Sequence, residues 1–442
     1  MSLPAMVERI RAADPVRRTG RVRKIMTSAI EADGPNVSLG TLCDVEARGD
    51  AGARSFRAEV VRVDRESIIL SPFEDTVPTF SGALVTASPR ADRVAVGPAF
   101  LGRAVDPLGR PCDGLGPIRS DEFAPLHATM TSPLERTSPH DILQTGVRAI
   151  DGLLTLGVGQ RIGIFAASGV GKTSLITQLA RHVEADIAIL CLVGERGREV
   201  EAIWNGALDE RARAKSTLVA ATSDQSAAMR VRAGHYALAL ADYWRAKGKR
   251  VLLLLDSVTR LAMALREVGL AAGEPPTVRA YTPNVFATIP KMVERCGALR
   301  SGGALTAIMT VLSETDDVDD PVCELMKSLL DGHIILSRPL AEQMHFPAID
   351  ACKSVSRQAD DLAKGPHRRH ATQILEWMSL YQSSRTLIDT GLHVKGANPK
   401  MDRAIERYPE IMRFLKQGRD ERATLASTLS ALGALSEGRH EA

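Results

Sequence analysis

Residues 160–183 place an apolar run, a glycine-containing turn and a helical pattern in immediate succession. Ile162–Ala166 is short and continuously apolar, as expected of a strand buried on both faces. The segment 168–171 contains two glycines and cannot continue that strand. From Lys172 onward, apolar residues recur at helical spacing, namely Leu175, Ile176, Leu179 and Val183. The sequence therefore predicts a strand, a glycine loop and a helix, in that order.

The loop matches a phosphate-binding pattern, in which Ala166 is followed after four residues by Gly171, Lys172 and Thr173. Backbone N–H groups of such a loop wrap nucleotide phosphates, the lysine reaches the β and γ oxygens, and the threonine hydroxyl can ligate Mg²⁺. The alternative is a glycine-rich turn that only caps a core helix. On the first interpretation, the nucleotide is held by Ala167, Ser168, Gly169, Val170, Gly171, Lys172, Thr173 and Ser174.

Composition describes an ordinary globular chain and excludes several other classes. The sequence has 442 residues, of which 44% are hydrophobic and 25% charged, enough for about three domains. A net charge of +3 from 56 basic and 53 acidic residues gives no general attraction to nucleic acid. The six cysteines form no C-x-x-C pair, which argues against a zinc site and a disulfide framework and favours a reducing cytoplasm. We find no signal-peptide core and no membrane-length apolar run.

The pattern along the chain predicts four regions. Residues 1–24 form a basic amphipathic tail, which either contacts acidic lipid or a partner protein or is a frayed, solvated terminus. Residues 25–96 hold short alternating segments typical of a small β-barrel. Residues 97–365 contain the strand–loop–helix unit, and residues 366–442 are helical, with apolar stripes that we interpret as packing faces.

Within the third region, apolar strands alternate with helical stretches, which predicts an α/β domain with a mostly parallel sheet. The ligand site of such a sheet lies at the carboxyl ends of its strands, where the glycine loop also lies. The expected strands are Ile162–Ala166, Ile187–Val193, Thr217–Ala221, Val251–Leu255 and Ala304–Val311.

Charged residues follow two of these strands directly. Asp256 ends an apolar strand, where a carboxylate can assist Mg²⁺ binding opposite the loop, although it can also cap the next helix. Glu195 ends another strand, so it can orient or deprotonate a water that attacks the γ-phosphate, while Arg196 offers positive charge to the phosphate oxygens. A solvated charge cluster is the alternative for Glu195 and Arg196.

Four motifs occur in the order seen in subunits of rotary F-type and V-type ATPases. They are A-x-x-x-x-G-K-T at 166–173, G-E-R-G-R-E-V at 194–200, L-L-L-L-D-S at 252–257 and P-A-I-D-A-C-K-S-V-S-R at 347–357. Over residues 20–440 the chain most resembles the ATPases of type III protein export, above all the flagellar ones. That narrower resemblance rests on F-A-A-S-G-V-G-K-T at 165–173, G-E-P-P-T at 273–277, L-D-G-H-I-I-L-S-R at 330–338 and V-K-G-A-N-P at 394–399.

The resemblance implies a RecA-like core that binds ATP and Mg²⁺. It assigns Lys172 to the phosphates, Thr173 and Asp256 to the metal, and Glu195 to catalysis with Arg196 beside the phosphates. Arg357 matches an arginine finger that enters the neighbouring subunit's site, which implies a ring, expected to be a homohexamer. Phe346 falls where relatives usually have a tyrosine near the adenine, and its ring can still stack.

Two positions depart from the family pattern. Ala167 occupies a place where most export ATPases have glycine, which requires a negative φ there and room for a methyl group. The segment Tyr281-Thr282-Pro283 replaces the usual tyrosine-proline-proline, with an effect that the sequence does not explain.

The resulting hypothesis is an ATP hydrolase that energises type III protein export, most similar to the flagellar enzymes and alternatively serving an injectisome. The implied partners are further copies of the chain, a negative regulator or stator, export-gate proteins, cargo and chaperones, at the cytoplasmic side of the inner membrane. A ring-shaped RNA translocase is disfavoured because residues 20–96 lack an aromatic and basic stacking stretch, so no nucleic-acid partner is expected. Glu195 argues against a subunit that binds a nucleotide without hydrolysing it, and residues 370–442 lack the acidic loop of proton-driven synthase β subunits.

Overall fold

The computed structural model describes residues 17–49, 52–74, 79–88, 93–127, 131–313 and 320–437. Most of the predicted basic tail, residues 1–16, lies outside this part of the chain. No helix within these ranges combines the length and the apolar character needed to cross a membrane.

Six antiparallel strands close into an amino-terminal barrel in the order β1-β2-β5-β4-β3-β6. Alternate residues of these strands point inward, among them Val22, Val45, Phe56 and Leu70, and they form a core separate from the rest of the chain. The strands are β1 Thr19–Ile25, β2 Ile30–Ala32, β3 Leu42–Gly49, β4 Gly52–Val63, β5 Ile68–Pro72 and β6 Leu84–Ala87.

The barrel differs from the expected range of 25–96 at both ends. Strand β1 begins at Thr19, inside the stretch assigned to the tail, because its backbone pairs with both β2 and β6 to close the barrel. The barrel ends with β6, and the next strand, β7 (Arg93–Val96), pairs instead with β9 (Glu122–Pro125) in a separate ribbon.

A ten-stranded sheet forms the centre of the molecule. Eight strands follow the path β18-β17-β11-β16-β14-β12-β13-β8, while β15 pairs with β16 and β10 pairs with β15. Pairings from β17 through to β8 are parallel, which confirms the predicted mostly parallel sheet. Its strands are β8 Arg103–Val105, β10 Arg136–Thr137, β11 Arg161–Ala166, β12 Ile187–Glu195, β13 Ser216–Thr222, β14 Arg250–Asp256, β15 Gly297–Leu299, β16 Ala304–Leu312, β17 Gly332–Ile335 and β18 Val355–Ser356.

Helices cover both faces of this sheet, and each face has its own hydrophobic core. The helices of this domain are α1 Lys172–His182, α2 Gly197–Glu201, α3 Glu210–Ala214, α4 Ala227–Ala246, α5 Val258–Ala271, α6 Pro283–Glu294, α7 Pro321–Leu329, α8 Arg338–Glu342 and α9 Ala359–Leu362. Short 3-10 or π turns occur at Pro98–Phe100, Pro133–Glu135, Ile150–Leu154, Ala202–Ala207 and Val278–Ala280.

The carboxyl-terminal region is helical, as predicted, and it packs on one core of the central domain. Ile374 and Ile411 from two of its helices are fully buried in that core. Tyr381 and Tyr408 stack with their ring centroids 3.7 Å apart. The helices are α10 Pro366–Ser383, α11 Arg385–Asp389, α12 Pro399–Leu415 and α13 Leu425–Glu437.

Candidate nucleotide site

The predicted loop lies where the parallel strands of the central sheet end. Strands β11, β12 and β14 run in the same direction, so their last residues, Ala166, Glu195 and Asp256, reach the same edge. The glycine loop leaves β11 at this edge and enters α1 at Lys172.

Two glycines give the loop its shape. Gly169 has φ 82° and Gly171 has φ 91°, a left-handed conformation that side chains with a Cβ rarely adopt. Gly171 is also the residue before α1, so the unpaired N–H groups of the first turn face the loop and can bind an anion. Ala167 keeps a negative φ, as the sequence analysis required, and packs partly against the core beside buried Val170.

Lys172, Asp256 and Glu195 form one ionic cluster. The Lys172 ammonium donates to Asp256 Oδ1 in a direct ion pair, and it lies 3.5 Å from Glu195 Oε1. Thr310, near the end of β16, donates its hydroxyl to the same Asp256 oxygen at 2.6 Å. The three charged residues singled out from separate motifs are thus brought together in a buried group, with the Asp256 side chain only 2% exposed.

The Glu195 carboxylate is almost fully buried. Burial, followed by repulsion from Asp256, raises the pKa of Glu195, and the nearby Lys172 ammonium only partly opposes this. Arg260, in the first turns of α5, lies 3.5 Å from Glu195 Oε2 and donates to the Gly194 carbonyl. A carboxylate in this setting is a good proton acceptor, because its conjugate acid is favoured relative to a solvated glutamate.

Arg196 and Thr173 are both exposed at this edge. Arg196 is the residue before the short helix α2. Thr173 lies in the first turn of α1, directly after Lys172, and its carbonyl accepts a hydrogen bond from Thr177.

These residues fit a magnesium site of the kind completed by nucleotide phosphates. Thr173 follows Lys172 in α1, and Asp256 pairs with the Lys172 ammonium, so both can offer oxygen ligands at this point. Within the described ranges, no cluster of three or more His, Cys, Asp or Glu could hold a metal ion on its own. Mg²⁺ commonly binds through one or two protein oxygens together with phosphates and waters, so two protein donors are sufficient.

Phe346 borders a cavity of about 310 Å³ next to the glycine loop. Its ring faces Gly171, since a Cβ built on Gly171 would lie 3.2 Å from Phe346 Cε1. The carboxyl-terminal region also lines this cavity, through Lys416, Gln417, Gly418 and Arg419. The Gln417 backbone N–H donates to the Phe346 carbonyl at 2.8 Å, so this segment is joined directly to Phe346. A flat aromatic ring beside the phosphate loop is suited to stacking on a base.

Residues 416–421 are fixed to the central domain by several hydrogen bonds. Arg148 donates to the Phe414 and Lys416 carbonyls, each at 2.7 Å, and pairs with Glu421. Gln417 accepts from the Arg148 backbone N–H at 2.9 Å and donates to the Gly146 carbonyl at 2.7 Å. We call this segment the base-side loop.

Thr310, Arg260 and the base-side loop were not predicted from the sequence. Thr310 carried a weak signal, because it is a polar residue close to the carboxyl end of an apolar strand. Arg260 had only a weak signal, as a basic residue in the first turn of the helix that starts two residues after Asp256. The base-side loop had no local signal, since its place depends on how the carboxyl-terminal helices pack.

Arg357 lies away from this edge. Its backbone N–H donates to the Asp331 carbonyl at 2.9 Å, and Asp331 in turn bonds to Arg161 at the start of β11. The six residues of β11 span roughly 17–20 Å at about 3.3 Å per residue. Arg357 is therefore level with the end of β11 that is opposite to the phosphate loop. Its side chain is too short to reach the phosphate loop of its own subunit.

The fold and the site together define a P-loop nucleotide hydrolase, with a barrel before a RecA-like core and a helical region after it. Known proteins agree with this class. Residues 146–356 match the model for the ATP synthase alpha/beta family, nucleotide-binding domain, and residues 363–434 match that for the T3SS EscN ATPase C-terminal domain.

Similar proteins extend over nearly the whole chain. A "Flagellum-specific ATP synthase" of Bacillus subtilis (strain 168) is 41% identical, covering 98% of this chain and 99% of its own. A "Type 3 secretion system ATPase" of Xanthomonas euvesicatoria is 40% identical, covering 95% of each. The solved structure of the assembled ATPase EscN from the enteropathogenic E. coli type III secretion system has a TM-score of 0.89 at 38% identity, covering 94% of this chain and 100% of that one.

The chain belongs to the ATP synthase alpha/beta family, in the branch that contains the flagellum-specific and type III secretion ATPases. It is an ATPase, and the resemblance inferred from its motifs is confirmed.

Proposed function

We propose that the chain hydrolyses ATP in a ring of identical subunits and that this turnover drives type III protein export. The observation that carries the proposal is that the catalytic cluster and Arg357 lie level with opposite ends of strand β11. The Lys172, Glu195 and Asp256 cluster lies at the carboxyl end of β11, and Arg357 lies level with its amino end.

In the proposed reaction, Lys172 exchanges its contact with Asp256 for the β and γ oxygens of ATP when the phosphates enter the loop. The first-turn N–H groups of α1 hold the remaining phosphate charge. A bound Mg²⁺ ion, with Thr173 and Asp256 as its protein ligands, would supply further positive charge at these oxygens. Phe346 stacks on the base in the cavity that it lines together with the base-side loop.

Glu195 acts as the base. Its carboxylate accepts a proton from a water whose oxygen attacks the γ-phosphorus, and the bond from that phosphorus to the β–γ bridging oxygen breaks. The raised pKa of Glu195 favours proton acceptance, while Arg260 and Lys172 hold the carboxylate from two sides. Arg196 offers positive charge to the phosphate oxygens, and its exposure directly after Glu195 in the chain supports this role.

Arg357 completes the site of the neighbouring subunit. A ring in which each subunit presents the loop on one side and Arg357 on another repeats one interface around its circumference. We propose six subunits per ring. The similarity to a structure described as the assembled EscN ATPase supports such a ring.

We further propose that the cargo is flagellar protein, with an injectisome as the alternative. Relatives named for each system are about equally similar, at 41% and 40% identity, so loss of motility on gene deletion is the deciding test.

Docking of a negative regulator or stator, or of acidic lipid, is proposed for residues 1–24, in which basic side chains dominate. Export-gate proteins, cargo and chaperones would be met in the cytoplasm at the inner membrane. A solved complex of EscN with its central stalk EscO supports partners of this general kind.

Phosphate release and ATP binding by two variants test the catalytic assignment. Lys172→Ala is expected to abolish phosphate release, because the β and γ oxygens lose their cation. Glu195→Gln should also abolish release but still bind ATP, since Glu195 touches the water rather than the phosphates. Substantial turnover by either variant would overturn the assignment.

A further inference from the structure

Arg357 is held by backbone atoms at the end of the central sheet opposite to the phosphate loop. Its N–H donates to the Asp331 carbonyl at 2.9 Å, and its Nη2 donates to the Lys327 carbonyl at 3.3 Å. The position of the guanidinium therefore depends on what fixes Asp331 and the short strand β18 that precedes Arg357.

Gln160 fixes both. This side chain is 0% exposed and lies directly before β11. Its Nε2 donates to the Asp331 carbonyl at 3.2 Å and to Ser356 Oγ at 3.0 Å, while its Oε1 accepts from the Gly157 N–H at 2.8 Å. One buried amide thus bonds to the carbonyl that receives the Arg357 N–H and to the residue next to Arg357.

Arg161 fastens the same point to β11. Its guanidinium binds both Asp331 carboxylate oxygens, at 3.0 and 2.9 Å, and its backbone N–H donates to Oδ2 at 3.0 Å. Glu294 accepts from the remaining Arg161 nitrogen at 2.7 Å. Two-point pairing of arginine with a carboxylate restricts geometry more than a single ion pair does.

We infer that Gln160, with the Arg161–Asp331 pair, positions Arg357 for catalysis in the neighbouring subunit's site. This inference rests on the proposed function. Strand β11 carries the phosphate loop of its own site at one end and fixes the arginine serving the next site at the other. Gln160 is a positioning residue, since it touches neither nucleotide nor water.

The expected effect follows from the geometry. A displacement of a catalytic group by about 1 Å can cost on the order of 100-fold in rate. Replacing Gln160 with Met keeps a side chain of similar length and removes all three hydrogen bonds. We expect Gln160→Met to lower kcat roughly 10- to 100-fold with the KM for ATP within about threefold of wild type.

Two measurements separate positioning from general damage to the fold. In the Arg357→Ala background, Gln160→Met should cause no further loss of kcat, because the group it positions is already gone. The matched control is Thr306→Val. Thr306 Oγ1 is likewise buried and accepts from the Gly159 N–H at 2.8 Å, one residue before Gln160, but it has no bond to Asp331 or Ser356. Its kcat should stay within about threefold of wild type.

Mixed rings give the decisive result. Gln160→Met subunits keep an intact phosphate loop, and Lys172→Ala subunits keep an intact Arg357, so co-assembly should restore activity to Gln160→Met sites. No recovery, while Arg357→Ala plus Lys172→Ala does recover, would overturn the positioning role. No recovery in either mixture would overturn the placement of Arg357 in a neighbour's site, and the positioning role with it.

If Gln160→Met does not fold, Ser356→Ala serves in its place. It removes one partner of the Gln160 amide, together with a bond from the Ser356 hydroxyl to the Thr155 carbonyl at 3.2 Å. A smaller loss of kcat, rescued in the same mixture, is expected. Unchanged kcat would count against the inference.

Discussion

The base-side loop gives a sharp prediction through Arg148, which holds that loop while lying outside the catalytic cluster. Arg148→Met removes the two 2.7 Å bonds to the Phe414 and Lys416 carbonyls and the ion pair with Glu421, but keeps the backbone bond to Gln417. Hydrogen bonds from a charged donor contribute about 1.5–3 kcal/mol each. The ion pair adds little, because Glu421 is nearly half exposed.

The loss at the nucleotide should be smaller than the sum of these bonds. Gln417 still donates to the Gly146 carbonyl, and water can replace part of what Arg148 supplied. We expect the KM for ATP to rise about 10- to 100-fold, which corresponds to about 1.4–2.7 kcal/mol of lost binding. The kcat should stay within about threefold of wild type, since Lys172, Glu195 and Asp256 keep their contacts.

Phosphate release measured against ATP concentration, with equilibrium binding of a fluorescent ATP analogue, checks this prediction. The control is Arg422→Met, which removes only an exposed 3.0 Å pair with Glu184 near the same surface and should leave KM unchanged. An unchanged KM for Arg148→Met would show that the base-side loop does not contribute to binding. A fall in kcat at constant KM would place its effect elsewhere.

Three further predictions follow from single residues. Burial raises the pKa of Glu195, and this residue must be ionised to act as the base. We therefore expect kcat/KM to fall on acidification with an apparent pKa above the ordinary glutamate value of about 4.3. A fall in kcat/KM with an apparent pKa at or below that value would contradict the role of Glu195 as the buried base. The Arg232 guanidinium is 3% exposed and lies 3.7 Å from the Glu59 carboxylate, so Glu59→Ala leaves a buried cation without its partner. We expect the free energy of unfolding to drop by about 3–5 kcal/mol, measured as a lower thermal midpoint. Adding Arg232→Met to the same chain should partly restore that midpoint. Ala167→Gly should change ATPase activity by less than about tenfold, because Ala167 already has a negative φ; a larger increase would show that its methyl group hinders the phosphates.

Local sequence patterns predicted the parts of the site that follow directly from single strands. Glu195 and Asp256 each end an apolar strand, and parallel strands bring such residues to one edge, so their meeting with Lys172 could be expected from the sequence. The glycine loop was equally local, because left-handed backbone at Gly169 and Gly171 selects glycine.

Features set by distant packing could not be predicted in this way. The extent of the barrel is one such feature. Strands β1 and β7 both show short alternating patterns, and only their pairing decides that β1 closes the barrel while β7 joins β9. The base-side loop reaches the nucleotide cavity through hydrogen bonds to Arg148 and Gln178, far earlier in the sequence.

The proposed mechanism depends most on Arg357 acting in a neighbouring subunit. Arg357→Ala and Lys172→Ala should each be nearly inactive alone, since arginine fingers contribute about 10³–10⁵ in rate. In randomly mixed rings at equal amounts, about a quarter of the interfaces pair an intact loop with an intact Arg357. We predict that mixing the two inactive variants restores ATP hydrolysis to about a quarter of the wild-type rate. Mixed rings that assemble but stay inactive would contradict the account.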